Sequence, residues 1–179
     1  MLSLYLSMVN DEESNEKLTL IYTENKDWML RYAYSLLDNK NLAMDAVHNT
    51  FLKLVEIFRT PSSESKDITK SFLYVSVKNS CINILREEDR LKLESFDIFA
   101  NYSSGDNVEE NVIADDSYER LVNIINSLPE IYSDILVLHF VCDMSLKEIS
   151  NLLKIPLKTI YTRFSRGKKI ITKKLGGAK

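Results

Sequence analysis

The chain has 179 residues, of which 45% are hydrophobic and 27% charged, and both fractions are ordinary for a globular protein. Four glycines and three prolines are few for a turn-rich β fold, which favours helices with short connections. No stretch approaches the ~20 uncharged apolar residues of a membrane span, and the N-terminus lacks the basic region of a secretory signal, so we expect no membrane insertion and a cytoplasmic location.

The formal net charge of −3 is distributed unevenly along the chain. Residues 1–90 hold 11 basic and 14 acidic side chains, residues 91–115 hold 1 and 6, and residues 116–179 hold 11 and 6. This asymmetry predicts one end that faces nucleic acid, joined to a part with a different role. The two cysteines and two histidines are isolated in the sequence, so we expect no metal and no cofactor.

Apolar spacing predicts three helices in the first half, over residues 17–37, 42–58 and 67–90. In the third helix the apolar stripe is interrupted at Lys78 or Asn79, where polar groups break the pattern. The stripe itself consists of Ile68, Phe72, Val75, Ile82 and Leu85.

An acidic stretch over residues 91–115 is predicted to be a flexible linker. It divides the chain into two small helical domains, residues 1–90 and 116–179. The expected fold class is therefore all-α, because no strand alternation is detectable in either part.

The second domain contains the local signals of a helix-turn-helix. Helices are predicted over residues 118–126 and from about Pro129, where Ile131 is placed on the core side. Ser145 and Glu148 have the spacing of a capping box at the start of a short helix. Residues 154–155 make the turn and Pro156 starts the next helix, which matches the two-helix motif.

The outward face of this last helix is basic, and no acidic residue follows Glu148. A solvated face usually mixes charges, and a membrane-surface helix needs a continuous apolar face with aromatic anchors; both stay open as alternatives, but a DNA contact fits best. The predicted DNA-contacting residues are Pro156, Lys158, Thr159, Tyr161, Thr162, Arg163, Arg166 and Lys169.

Five segments together resemble the bacterial RNA polymerase sigma factors, and the two-domain layout resembles their extracytoplasmic-function (ECF) group. Two of the segments lie in the first domain and three in the second. The segments are DAVHNTFLKL at 45–54, FLYVSVKNSCINILR at 72–86, LPE at 128–130, SLKEIS at 145–150 and TIYTRFSRGKK at 159–169.

The resemblance implies that the chain binds core RNA polymerase through the clamp helices of the largest subunit and the flap of the second-largest subunit. It also implies promoter DNA and an anti-sigma factor as partners. The last helix would read the −35 element, and the third helix, with the loop after residue 60, would melt and read the −10 element. The implied polymerase contacts are Asp45, His48, Asn49 and Phe51. The implied −10 contacts are Phe72, Tyr74, Lys78, Asn79, Asn83 and Arg86.

The chain departs from the family pattern at several of these positions. Met44, His48 and Val55 stand where the family prefers Glu, Gln and Trp, in the segment implied to bind polymerase. Ser150 and Lys154 replace the usual Ala and Gly of the helix-turn-helix, so a lysine is expected in a left-handed turn.

Two other classes of function compete with a sigma factor. A helix-turn-helix regulator that acts without docking on polymerase explains the basic end but not the two matching segments of the first domain. An enzyme is disfavoured because the sequence shows no nucleophile–base arrangement, metal cluster or phosphate loop.

Overall fold

The computed structural model describes residues 2–9, 11–59, 69–98 and 116–176. Within these ranges the chain forms eight α-helices and no strand, which agrees with the predicted all-α class. In chain order the helices are α1 (Leu2–Ser7), α2 (Glu12–Leu37), α3 (Lys40–Arg59), α4 (Lys70–Ile98), α5 (Asp116–Asn126), α6 (Glu130–Phe140), α7 (Leu146–Leu153) and α8 (Leu157–Gly176).

Helices α2, α3 and α4 pack on one another and form the first helical unit. Helix α2 begins earlier than predicted because Asp11 caps it: its carboxylate accepts a hydrogen bond from the Ser14 amide at 2.7 Å. It ends at Asp38, whose backbone is left-handed with φ of 48°. Met29 and Leu54 are among the fully buried side chains between these helices.

Helix α1 has no counterpart among the predicted elements, since six residues are too few to show a helical period. It packs against α2 and α3. Tyr5 is fully buried there, with its ring stacked on Phe51 at a centroid distance of 5.5 Å. The N-terminal segment thus belongs to the core of the first unit.

The buried side of α4 differs from the predicted stripe. Leu73, Val77 and Cys81, each four residues apart, are buried. Val75 and Leu85 of the predicted stripe are 52% and 38% exposed. Apolar residues occupy both sides of this helix, so their spacing alone does not show which side is buried. Packing against α2 and α3 buries the side of Leu73, Val77 and Cys81 and not the predicted stripe.

Helix α4 also continues to Ile98, into the segment that the sequence analysis assigned to the linker. Residues 99–115 lie outside the described residues, as do Ile68 and the loop after residue 60. The proposed domain boundaries remain predictions.

Helices α5 to α8 form the second unit around α6. Ile135 and Leu138 of α6 are buried as predicted, but Ile131 is 50% exposed, so its predicted core position is wrong. Ile131 lies in the first turn of α6, whereas the buried residues of this helix are Ile135 to Leu138. Helix α8 approaches α6 closely at Gly167.

Among the described helices, none combines the length and the apolar character that a membrane crossing needs.

Candidate nucleic-acid interface

Helix α7 begins with the capping box that the sequence predicted. The Ser145 hydroxyl accepts a hydrogen bond from the Glu148 amide at 3.2 Å, and the Glu148 carboxylate accepts one from the Ser145 amide at 2.8 Å. The hydroxyl of Ser145 also donates to this carboxylate at 2.7 Å. These bonds from Ser145 lower the pKa of Glu148 below its usual 4.5, which keeps the cap charged near neutral pH.

The turn between α7 and α8 is held by two features. Lys154 has φ of 55° and ψ of 39°, which is the left-handed conformation expected where the family has glycine. The Ser150 hydroxyl donates to the Ile155 carbonyl at 2.6 Å and ties the end of α7 to the turn. Ser150 is therefore a positioning residue for α8, a role that its small size alone did not indicate.

Helix α8 has one face turned to the protein and another turned outward. Ile160, Gly167 and Ile171 are buried against the second unit. A Cβ on Gly167 would lie 2.8 Å from Cδ1 of Leu136, so glycine permits this close packing. In the sequence, the only sign of this close packing is a glycine within an otherwise helical pattern.

The predicted −35 residues share the outward side of α8 and the turn before it. Thr159 and Arg163 are half-buried; the exposed ones are Pro156, Lys158, Tyr161, Thr162, Arg166 and Lys169. The Thr162 hydroxyl donates to the Lys158 carbonyl at 2.9 Å, which leaves its oxygen able to accept a further bond. The structure thus places seven of the eight residues on α8, a helix without an acidic side chain, and Pro156 immediately before it.

Four of the six predicted −10 residues lie along one side of α4, and we call them the α4 strip: Phe72, Asn79, Asn83 and Arg86. The last three follow Phe72 by close to whole helical turns at about 3.6 residues per turn. Phe72 is half-buried, whereas Asn79, Asn83 and Arg86 are exposed. An aromatic ring, two amides and a guanidinium are suited to unpaired bases and their phosphates.

Tyr74 and Lys78 do not belong to this strip. Tyr74 is only 5% exposed, because its ring packs edge-on against Tyr32 at 5.3 Å. The predicted DNA contact for Tyr74 is therefore replaced by a core role. Lys78 donates to Asp134 of the second unit at 2.7 Å and also to Glu130, so its charge is already paired.

The environment of Lys78 keeps it charged. Burial lowers its pKa, but hydrogen bonds to Asp134 and Glu130 outweigh burial and raise the pKa well above its usual value. The same bond to Lys78 lowers the pKa of Glu130. The contact is thus an ion pair at any pH near neutrality.

The four predicted polymerase-binding residues divide in a similar way. Asp45 and Asn49 are exposed one turn apart on α3. His48 is half-buried, and its Nδ1 shares a hydrogen bond with the Tyr5 hydroxyl at 2.6 Å. Phe51 has no exposed surface and packs between Tyr5 and other core rings, so it supports the helix instead of contacting a partner.

These features define a class of protein: a helical two-unit DNA-binding protein with a helix-turn-helix at one end and a polar helical strip in the other unit. Residues 21–91 match the family model described as Sigma-70 region 2, and residues 118–171 match Sigma-70, region 4. The two regions together span more than half of the chain. The chain belongs to the sigma-70 family of RNA polymerase sigma factors.

Two proteins of Bacillus subtilis (strain 168) are similar to the chain over nearly its whole length. RNA polymerase sigma factor SigV is 26% identical over 167 residues, covering 92% of this chain and 94% of SigV. ECF RNA polymerase sigma factor SigW is 25% identical over 177 residues, covering 92% and 90%.

A solved structure shows the same fold. It is the sigma factor RpoE in complex with the anti-sigma factor NepR from Bartonella quintana, with a TM-score of 0.54 and 18% identity. The match covers 94% of this chain and 100% of that chain.

Proposed function

We propose that the chain is an ECF-type sigma factor that binds core RNA polymerase and directs initiation at specific promoters, with α8 on the −35 element and the α4 strip on the −10 element. The observation that carries this proposal is the presence of both sigma-70 regions on one chain, each with an outward polar surface. A helix-turn-helix regulator without polymerase docking would have no need of the first unit, whose residues 21–91 match region 2.

For the −35 element, the N-terminal half of α8 would enter the major groove. Arg163 and Arg166 can pair with guanine edges or phosphates, and Thr159 can contact a phosphate or a thymine methyl. The first amides of α8, those of Leu157 and Lys158, precede the amides that bond to the Pro156 carbonyl, and a helix start of this kind favours a phosphate. Lys169 would extend the phosphate contacts along the helix.

For the −10 element, the α4 strip would hold bases that have left the duplex. Asn79 and Asn83 offer amides to base edges, Phe72 offers an aromatic ring for stacking, and Arg86 supplies a cation for the backbone. Lys78 would join these contacts only after it leaves its carboxylate partners.

For polymerase binding, Asp45 and Asn49 form the exposed part of the predicted surface on α3. His48 would contribute one edge of its ring while Tyr5 holds the other side. We assign this face to the clamp helices of the largest subunit, and the second unit to the flap of the second-largest subunit. An anti-sigma factor is a further proposed partner, and the cytoplasm is the proposed location because polymerase acts there.

Run-off transcription with core RNA polymerase on DNA upstream of the chain's own coding sequence tests this function. We expect a discrete transcript only when core enzyme and the chain are both present. Asp45→Ala with Asn49→Ala is expected to reduce co-purification with core enzyme, whereas Lys40→Ala, an exposed change at the first residue of the same helix and outside the 45–54 segment, serves as a control. Failure of the wild-type chain to bind core enzyme or to support a transcript would refute the proposal.

A further inference from the structure

Helix α1 contacts the segment of α3 that is predicted to bind polymerase, and Tyr5 makes this contact. Its hydroxyl lies 2.6 Å from Nδ1 of His48, although the two residues are 43 positions apart in the sequence. The two rings also lie close together, with their centroids 5.5 Å apart. A half-buried histidine of the predicted polymerase surface is thus held by the N-terminal helix.

The Tyr5 side chain is itself fixed by its surroundings. It has no exposed surface, it stacks on Phe51, and its ring centroid lies 6.0 Å from that of Tyr22. Burial raises the pKa of the Tyr5 hydroxyl to about 12, so the hydroxyl keeps its hydrogen near neutral pH. A buried phenol of this kind needs a hydrogen-bond partner and holds that partner in one orientation.

The length of the bond between Tyr5 and His48 indicates which atom donates. N–H groups bond to oxygen at about 2.7–3.2 Å, whereas O–H donors bond to oxygen at about 2.5–3.0 Å. The contact of 2.6 Å therefore fits a tyrosine hydroxyl that donates to Nδ1. A neutral imidazole that accepts at Nδ1 carries its own hydrogen on Nε2. The bond thus selects one tautomer of His48, with a donor at Nε2.

This second nitrogen of His48 is open to a partner from outside the chain. Within the described residues, Nε2 makes no hydrogen bond, and it is not one of their buried unpaired polar atoms. His48 follows the exposed Asp45 by three positions on α3, so the two share a face of the helix. Nε2 can therefore donate to an oxygen of a molecule that binds at this face.

We propose that Tyr5 is a positioning residue for polymerase binding: it holds His48 in the tautomer whose Nε2–H donates to a carbonyl or carboxylate oxygen of core RNA polymerase. The binding part of this proposal rests on the proposed function, whereas the tautomer does not. Glutamine, which the family prefers at this position, also has an Nε2 four bonds from Cα, and its amide nitrogen always donates. His48 offers a donor at the same distance along the side chain only when its tautomer is fixed.

The tautomer can be measured in the free chain, which has two histidines. Nδ1 of His139 lies 2.8 Å from the Met144 carbonyl, and a carbonyl only accepts, so His139 carries its hydrogen on Nδ1. Long-range proton–nitrogen correlation spectra in slightly alkaline buffer distinguish the two tautomers. We expect opposite results for the two rings, with the hydrogen of His48 on Nε2. A hydrogen on Nδ1 of His48 would overturn the proposal.

Tyr5→Phe removes the hydroxyl and keeps the ring that packs on Phe51. We expect this change to move the nitrogen signals of His48 toward a mixture of tautomers and to weaken binding to core polymerase about five-fold. Titration of core enzyme into the fluorescently labelled chain measures the affinity, and circular dichroism establishes that each variant is folded. An unchanged affinity in folded Tyr5→Phe would contradict the proposed role.

The matched control is Tyr22→Phe, which removes a hydroxyl from a neighbouring ring of the same cluster. Tyr22 contacts Phe51 with a centroid distance of 4.9 Å, as Tyr5 does from the other side chain position at 5.5 Å. We expect neither the His48 signals nor the affinity for core enzyme to change in this variant. An equal loss of affinity in Tyr22→Phe would show that the ring cluster supports the fold without a specific role for Tyr5.

A double-mutant cycle separates positioning from a structural role. In a chain that already carries His48→Ala, Tyr5→Phe should cause no further loss of affinity, because the hydroxyl acts through the imidazole. Adding His48→Gln to Tyr5→Phe should restore binding, since an amide donor does not depend on a tautomer. A loss as large with His48→Ala as without it, or no rescue by His48→Gln, would overturn the proposal.

The wild-type chain separates this proposal from the proposed function. If it binds core enzyme and Tyr5→Phe binds equally well, the role of Tyr5 is refuted and the sigma-factor function stands. If the wild-type chain does not bind core enzyme, the proposed function is refuted, and the nitrogen spectra still decide whether Tyr5 fixes the tautomer of His48.

Discussion

The outward face of α8 and the α4 strip carry similar residue types but differ in what surrounds them. The α8 face is mostly exposed and lies on a helix with no acidic side chain. The α4 strip lies beside α6 and α7, and its neighbour Lys78 is bonded to two carboxylates of the other unit. The amides and the arginine of the strip are exposed like most of the α8 face, and Lys78 beside the strip is the cation that the other unit holds.

This difference matches the two forms of DNA that the surfaces would bind. A −35 element remains a duplex, so an open and rigid helix can dock on it at once. A −10 element must first lose its base pairing, and a surface that holds unpaired bases need be free only when polymerase is present. If the two surfaces bind DNA as proposed, tertiary contacts as well as residue type determine which cations are available to it.

The largest effect is expected for Arg163→Ala on α8. If Arg163 pairs with a base, the change weakens binding of the polymerase complex to the promoter by ~1–3 kcal/mol and relaxes the −35 preference; a phosphate contact would weaken all sequences equally. Titration of labelled promoter DNA with matched and mutated −35 elements measures this. Lys174→Ala is the control, because Lys174 donates to Ser127 near the far end of the helix, and an equal loss in that variant would argue against a specific role for Arg163.

On α4, Asn83→Ala should impair −10 recognition, whereas Tyr74→Phe should impair only the stability of the fold. Asn83 is exposed, so removing its amide is expected to cost about 1 kcal/mol of −10 recognition. Tyr74 is buried, so removing its hydroxyl in Tyr74→Phe should lower the free energy of unfolding and leave promoter opening unchanged. Abortive transcription at limiting enzyme, together with urea unfolding, measures both. The assignment of the strip is wrong if Tyr74→Phe impairs opening more than Asn83→Ala.

The packing beneath the α8 face is tested by Gly167→Ala. The added Cβ would lie 2.8 Å from Leu136, and overpacking of this kind costs ~1–3 kcal/mol. Alanine recovers up to ~1 kcal/mol of helix propensity. We therefore expect a net loss of ~1 kcal/mol in the free energy of unfolding. Ser165→Ala, on the exposed side of the same helix, should cause no loss, and similar losses in both variants would contradict the close packing.

A gain in stability, instead of a loss, is expected at the turn before α8. The left-handed backbone of Lys154 costs ~1 kcal/mol for a residue with a Cβ. Lys154→Gly removes this cost and should stabilise the second unit by about that amount. Lys154→Ala removes the same charge but keeps a Cβ, so it should not stabilise. Thermal unfolding of the two variants distinguishes backbone strain from charge, since equal stabilisation by both would point to charge.

The sequence predicted the helix-turn-helix well because its signals are local. The capping box of Ser145 and Glu148 and the lysine in the turn each act within a few residues, and the structure confirms both. The basic character of α8 could likewise be predicted without knowledge of packing, because it depends only on which residues the helix contains. The resemblance located the α4 segment, but the sequence alone did not give its phase, because Val75 and Leu85 are as apolar as the buried Leu73.

Long-range contacts explain what the sequence did not reveal. Lys78 and Asp134 are 56 residues apart, and Arg31 and Val141 are 110 apart, so no local pattern connects them. The burial of Phe51 likewise depends on Tyr5 of a helix too short to be predicted. These are also the contacts that distinguish the α4 strip from the α8 face.

Permanganate footprinting of unpaired thymines detects promoter opening by the assembled complex and therefore tests whether α8 and the α4 strip act as proposed. With core polymerase and the chain together, we expect reactive thymines only in the −10 region, dependent on an intact −35 element and reduced by Asn83→Ala. Neither component alone should produce them. Binding of core polymerase without any promoter opening, or specific duplex binding by the free chain alone, would contradict the division of work between α8 and α4.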